Sequence, residues 1–215
     1  MERVNLLEGE LADHVAVGLK GIRDGYVICA PLEHGYVFLA DAFSNFAVQA
    51  MHVLRGDDLG VKAQVLIHSG ETLSGLSRQI TDEVRALTDA FWPGLLSLNL
   101  HPSMGLNWDL GDSNSLDLFS VRAPQAPFVS ALLKESGPLA VASAAKKGMK
   151  PALRTDRIFV LESGIAAMFD GGELPAGNPT TVIQSDIDGL TIIREGAISR
   201  EQLAAVVPAL SAVSE

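Results

Sequence analysis

The feature that most constrains this chain is its alternation of short apolar runs with segments whose apolar residues return every three or four positions. Apolar runs of 4 to 8 residues suit buried strands, and three-and-four spacing suits helices packed on them. Residues 11–22, LADHVAVGLKGI, put Leu11, Val15, Leu19 and Ile22 on one helical stripe that ends near Asp24-Gly25. The run YVICA follows directly as a strand. Ser44 is placed to cap a helix carrying Phe46, Val48, Met51 and Leu54, and AQVLIH is a short buried strand. TDEVRALTDAF reads as a helix, stopped by Pro93-Gly94 before the strand LLSLNL. LDLFSVR is a strand, APFVSALLKESG a helix with Gly137 as C-cap, and PLAVASA a strand. RIFVLES, TTVIQSD and GLTIIRE read as three more strands, the last two joined as a hairpin at Asp188-Gly189. Ser199 and Gln202 form a capping box for a final helix over about 199–214, with a kink expected at Pro208. The pattern predicts α/β architecture: a single domain over residues 1–215, with a twisted mixed sheet and flanking helices.

Composition narrows the classes. A chain of 215 residues that is 47% hydrophobic buries one sizeable core, not two large ones. No apolar run reaches 18 residues, and MERVNLLEGELADH has no apolar stretch behind a basic head, so neither a membrane span nor secretion is expected. Cys29 is the single cysteine, which excludes an internal disulfide and a multi-cysteine zinc site and suits a reducing cytoplasm. The net charge of −10 repels phosphate backbones at long range unless basic residues gather on one face.

Candidate chemistry begins at CAPLEHGYVFLADAF, residues 29–43, where Glu33, His34, Tyr36 and Asp41 interrupt an apolar run just after Pro31. Two local structures fit: a sharp strand-to-helix turn that displays side chains into a cleft, or an ordinary loop. GxxxxGK, GxGxxG, GxSxG and HExxH motifs are absent. His14, His34, His52, His68 and His101 are scattered singly, so no metal site built by the protein alone is expected. What remains are polar segments at strand ends, where ligands bind in open α/β sheets. Five stand out: PLEHGY (31–36), VLRGDD (53–58), FWPGLLS (91–97), VASAAKKG (141–148) and AGNPTTV (176–182).

Their order and spacing resemble the YrdC-like family, whose best-known members are L-threonylcarbamoyl-AMP synthases, from about residue 12 to 198. The family's PTETVYGL and following Ala-Asp-Ala appear as PLEHGYVFLADA, keeping Pro31, Glu33, Tyr36, Ala40, Asp41 and Ala42. Its FWPGPLT appears as FWPGLLS, with Ser97 keeping a hydroxyl. Its Arg-x-Pro is Arg122-Ala123-Pro124, its TSAN-x-SG is ASAAKKG, its STV is Thr180-Thr181-Val182, and its Arg-x-Gly is Arg194-Glu195-Gly196. The resemblance implies one concave cleft that binds ATP with magnesium and threonine and consumes bicarbonate. The products would be pyrophosphate and threonylcarbamoyl-AMP, the latter for modification of a tRNA adenosine. It also implies that Arg55, Lys62, Arg122, Ser143 and Arg194 face the nucleotide, and that Tyr36, His68 and Thr181 lie near the amino acid. Guanidinium forks suit phosphate oxygens, and hydroxyls and imidazoles suit a zwitterion.

The chain also departs from the pattern. The family's KGRP reads RGDD, so that Arg55 keeps one charge and Asp57 reverses the other. Leu32 and His34 replace two threonines, Val37 a glycine and Ala145 an asparagine. A carboxylate facing a triphosphate repels it, and each charge-assisted hydrogen bond lost costs about 1.5–3 kcal/mol. The expectation is a divergent paralogue with weakened or lost catalysis that binds a nucleotide or another small ligand; the alternative is an active synthase. Family members are also described as binding double-stranded RNA. Lys146, Lys147, Lys150, Arg154 and Arg157 form the local basic cluster here, so weak RNA or tRNA binding is a further expectation.

Overall fold

The computed structural model describes residues 1–113, 115, 117–160 and 163–211. Its strands are β1 (Glu2–Asn5), β2 (Ile28–Leu32), β3 (Gly35–Asp41), β4 (Gln64–Leu66), β5 (Leu96–Leu100), β6 (Phe119–Arg122), β7 (Leu139–Ser143), β8 (Ala167–Asp170), β9 (Thr181–Asp186) and β10 (Gly189–Arg194). They form one sheet in the order β1-β8-β2-β3-β7-β4-β6-β5-β9-β10. The sheet is mixed: β8 runs parallel to β1 and β2, β4 to β6 and β5 to β9, while the other neighbours are antiparallel. Helices α1 (Leu11–Arg23), α2 (Asn45–Arg55), α3 (Leu73–Leu76), α4 (Asp82–Phe91), α5 (Pro127–Ser136) and α6 (Arg200–Val206) flank it. Among the described residues, no helix is long and apolar enough to cross a membrane.

Local chemistry sets several boundaries. Ser44 accepts from Ala47 N to start α2, which Gly56 closes with a left-handed φ of 74°. Ser199 and Gln202 form the capping box of α6. That helix stops at Val206 rather than kinking at Pro208. A residue before proline is forced out of the helical region, and Val207 is extended at φ −127° and ψ 94°. A 3-10 turn, Pro208–Ser211, follows, and residues 212–214 of the expected helix lie outside the described residues.

Two other expectations change. RIFVLES is not a strand: Arg157 ends a 3-10 turn, residues 158–160 join no strand among the described residues, and Leu161 and Glu162 lie outside the described residues. The sheet position goes instead to AMFD, β8, whose Ala167, Met168 and Phe169 are buried on both faces between parallel neighbours, whereas Phe159 is 78% exposed. The stretch 29–43 is neither a strand-to-helix turn nor a loop. It is a β2–β3 hairpin with Glu33-His34 at its tip, since Leu32 pairs with Gly35 and Ile28 with Leu39.

The register determines what each sheet face carries. Tyr36, Phe38, Val65, Leu98, Val121 and Ile183 share one face, buried by α2, α3, α4 and α6. Leu39, Leu66, Leu139 and Phe169 share the other, under α1 and α5. That second cover reaches only half the sheet. Beyond it the same face presents Gln64, Ser120, Arg122, Ser143 and Val182 to an open cleft, with Ser97 buried beneath them.

Candidate functional site

The cleft encloses about 500 Å3, within the range of small-ligand sites. Arg55, Lys62, Arg122, Ser143 and Arg194 all line it, drawn from the end of α2, the segment before β4, and strands β6, β7 and β10. Its floor is a polar ladder. Gln64 Nε2 donates to Ser97 Oγ at 2.9 Å and Ser120 Oγ at 3.0 Å, and Ser97 Oγ donates to Thr180 Oγ1 at 3.1 Å. Arg194 Nη2 reaches Thr180 Oγ1 and the Thr180 carbonyl, both at 2.9 Å.

The hairpin tip anchors a second arginine. Glu33 Oε1 accepts from Arg122 Nη1 at 2.9 Å and from Gln125 N at 2.8 Å, holding an Arg122 that is only 4% exposed. Arg122 Nε is buried without a hydrogen-bond partner among the described residues. Charge-assisted bonds of this kind fix a guanidinium in one orientation.

At the end of α2, the Asp57 carboxylate is 2% exposed and does not line the cleft. It accepts from Arg55 Nε at 2.8 Å and lies 2.8 Å from His52 Nδ1, while His52 Nε2 lies 2.9 Å from the Leu110 carbonyl. The expectation that Asp57 confronts a bound triphosphate is therefore overturned: Gly56 turns the chain back, and the carboxylate is paired with Arg55 beneath the cleft wall. Lys62, 3.2 Å from the buried Asp112 carboxylate, is tied to the loop before β6.

Of the three residues expected near the amino acid, Tyr36 borders the same cleft with its ring turned to the core, while Thr181 and His68 do not line it. Tyr36 and Thr181 fall on the core face by strand alternation, and both are 0% exposed. Tyr36 Oη donates to the Gly172 carbonyl at 2.7 Å, lies 3.1 Å from Asp170 Oδ1 and accepts from Gly171 N at 3.0 Å. Burial pushes its phenol up to about 12, and the Asp170 charge adds to the rise. Burial also works to raise Asp170, but hydrogen bonds from Thr155, Gly172 N and Tyr36 outweigh it and hold that carboxyl below the usual range. Thr181 Oγ1 donates to the Ile198 carbonyl at 2.6 Å and accepts from Gly196 N and Ile198 N. His68 lines a separate cavity of about 560 Å3 with Arg85, Asp89 and Trp92.

Sequence reasoning did not single out Gln64 and Ser120, and it gave Thr180, though part of a motif, no role at the site. The signal was available in TTVIQSD, whose alternation puts Thr180 and Val182 on the face opposite Thr181 and Ile183. In the basic cluster, Lys147 is paired with Asp58, and Arg154 with Asp156 and Glu173.

The profile of the Sua5/YciO/YrdC family, described as Telomere recombination, matches residues 20–196. A Mycobacterium tuberculosis protein named as a candidate threonylcarbamoyl-AMP synthase is 34% identical over 195 residues, covering 89% of this chain and 87% of that protein. The threonylcarbamoyl-AMP synthase of Bacillus subtilis is 29% identical over 188 residues, covering 86% of this chain and 54% of the relative. Among solved structures, Pyrococcus abyssi Sua5 complexed with L-threonine superposes with a TM-score of 0.83 at 26% identity. The match covers 96% of this chain and 60% of that protein, so this chain spans less than two thirds of the archaeal protein's length. Escherichia coli YciO shares the fold at a TM-score of 0.76 and 21% identity, covering 94% of this chain and 98% of YciO. By its profile match, its relatives and its fold, the chain belongs to the Sua5/YciO/YrdC family.

Proposed function

We propose that this chain makes L-threonylcarbamoyl-AMP from ATP, threonine and bicarbonate in the cleft, for use in tRNA modification. The observation that carries this reading is the convergence of Arg55, Lys62, Arg122, Ser143 and Arg194 on one cavity of about 500 Å3. In the reaction, the threonine amine attacks the bicarbonate carbon and a C–O bond breaks with loss of water, leaving a carbamate whose oxygen attacks the α-phosphorus of ATP. The bond from that phosphorus to the bridging oxygen breaks, and pyrophosphate leaves with the electron pair. The chain's part is to bind and orient: fixed guanidinium and ammonium groups neutralise charge as it moves onto the leaving phosphates. Magnesium would enter on the triphosphate. The hydroxyls of Ser120 and Thr180 are cleft groups suited to an amino acid's carboxylate and ammonium.

With Asp57 turned away, the main argument for lost catalysis falls. A second reading, binding without turnover, keeps one support: Ala145, Leu32 and His34 stand where the family has asparagine and two threonines. The test is pyrophosphate release with ATP, threonine, bicarbonate and magnesium. Release that requires threonine supports synthesis. ATP binding with no threonine-dependent release supports the second reading, and the absence of ATP binding removes both.

A further inference from the structure

We propose that Asp57 is a positioning residue for Arg55, so that a carboxylate standing where the family carries a cation strengthens the grip on a triphosphate instead of weakening it. The inference rests on the nucleotide reading of the cleft. Its basis is a chain of short contacts: Leu110 carbonyl to His52 Nε2 at 2.9 Å, His52 Nδ1 to Asp57 Oδ2 at 2.8 Å, and Asp57 Oδ1 to Arg55 Nε at 2.8 Å. Both oxygens of a carboxylate that is 2% exposed are thus used, and neither is presented to the cleft. Arg55 Nε is held, while the two terminal nitrogens have no protein partner among the described residues on a side chain that is 25% exposed and lines the cleft.

An unanchored arginine loses side-chain freedom when it binds an anion. One anchored at Nε has paid most of that cost before the ligand arrives, and its planar fork is already oriented. The device is local to α2 and its cap. Gly56, at φ 74°, turns the backbone so that Asp57 N donates to the His52 carbonyl at 3.1 Å. The carboxylate is thereby folded back over the last helical turn. His52 in turn ties this corner to the loop preceding β6, and Lys62 ties the same loop through Asp112. The cleft wall around Arg55 is therefore braced from two sides.

Charge and position predict opposite signs, which makes the proposal sharp. If Asp57 acted only through its charge, Asp57→Asn would remove repulsion and tighten ATP binding. If it positions Arg55, Asp57→Asn frees the guanidinium and weakens ATP binding, by about tenfold for one preorganised charge-assisted contact. AMP, which lacks the β- and γ-phosphates, should bind both proteins alike, so the ratio of ATP to AMP affinity separates positioning from general damage to the fold. In an Arg55→Lys background, whose ammonium has no Nε to anchor, Asp57→Asn should cause no further loss. The measurement is equilibrium titration of ATP and AMP into wild type, Asp57→Asn, Arg55→Lys and the double variant, each checked for cooperative thermal unfolding. If Asp57→Asn does not fold, His52→Gln probes the same brace from its other end and should lower the ATP affinity in the same selective way. Equal or tighter ATP binding by Asp57→Asn, or equal loss for ATP and AMP, overturns the proposal. Failure of the wild type to bind ATP overturns the nucleotide reading itself, a result distinct from either.

Discussion

Tyr36 sits in the family's opening motif, yet its hydroxyl is spent inside the protein on Gly171, Gly172 and Asp170. Burial makes ionising it costly, and its value is pushed up to about 12. The sign follows from linkage: a group raised in the folded state stabilises below its unfolded value, about 10 for a phenol. That stability is lost as pH climbs from about 10 through 12. The chain has two tyrosines, Tyr26 and Tyr36. In a Tyr26→Phe variant the remaining phenol should therefore ionise near 12 by ultraviolet absorbance, and a transition at 10 would refute the packing described here. Tyr36→Phe should cost about 1–3 kcal/mol at neutral pH, because it strands buried backbone groups that the hydroxyl satisfies. It should also flatten the alkaline loss of stability between 10 and 12. Retention of full stability would mean that the hydroxyl bonds contribute nothing net.

Strand β9 and the turn after β10 show how one element serves both faces. Thr181 holds the backbone of Gly196 and Ile198 from the core side, while its neighbour Thr180 holds Arg194 from the cleft side. Gly196 is required by this arrangement, since a Cβ there would sit 2.3 Å from the Pro179 carbonyl, a backbone atom with little freedom to yield. Gly196→Ala should therefore destabilise the protein by about 1–3 kcal/mol, the usual cost of overpacking. It should also weaken ATP binding, because the Thr180 backbone that Arg194 grips must shift. Thermal unfolding and ATP titration on the same variant check both, and an unchanged melting temperature would contradict the close approach. Elements of this kind explain what could be read from sequence. Caps at Ser44 and Ser199 and the β9–β10 hairpin are local signals, and they stand as expected except that the turn falls one residue earlier, at Ile187-Asp188, with Gly189 pairing with Asp186. Strands β1 and β8 were not legible: each is four residues long and is defined by pairing 165 positions apart, such as Arg3 with Met168. The five cation and hydroxyl positions of the cleft came from the family resemblance, whereas the inward turn of the Tyr36 and Thr181 side chains was missed by not assigning each residue to a strand face.

For the whole molecule, charge argues against a strong nucleic-acid surface. The net charge is −10, and the one basic cluster is partly neutralised by its own neighbours, Lys147 by Asp58 and Arg154 by Asp156 and Glu173. Lys146, Lys150 and Arg157 have no ion-pair partner among the described residues. About three phosphate contacts are then on offer, which sets a logarithmic salt slope near −2.7 and a fall in affinity of about 40-fold between roughly 50 and 200 mM salt. A tRNA-like duplex titrated across that range should bind weakly throughout, with the loss of binding following that slope. Lys150→Glu should remove more affinity than Lys147→Gln, because Lys147 must first give up Asp58 to meet a phosphate. A steeper slope would mean that more cations engage than the cluster holds, as they would if Arg55 and Arg194 of the cleft took part. ATP competes for those two residues but not for Lys150, so displacement of the duplex by ATP would locate RNA in the cleft, and its absence would leave RNA on the cluster alone.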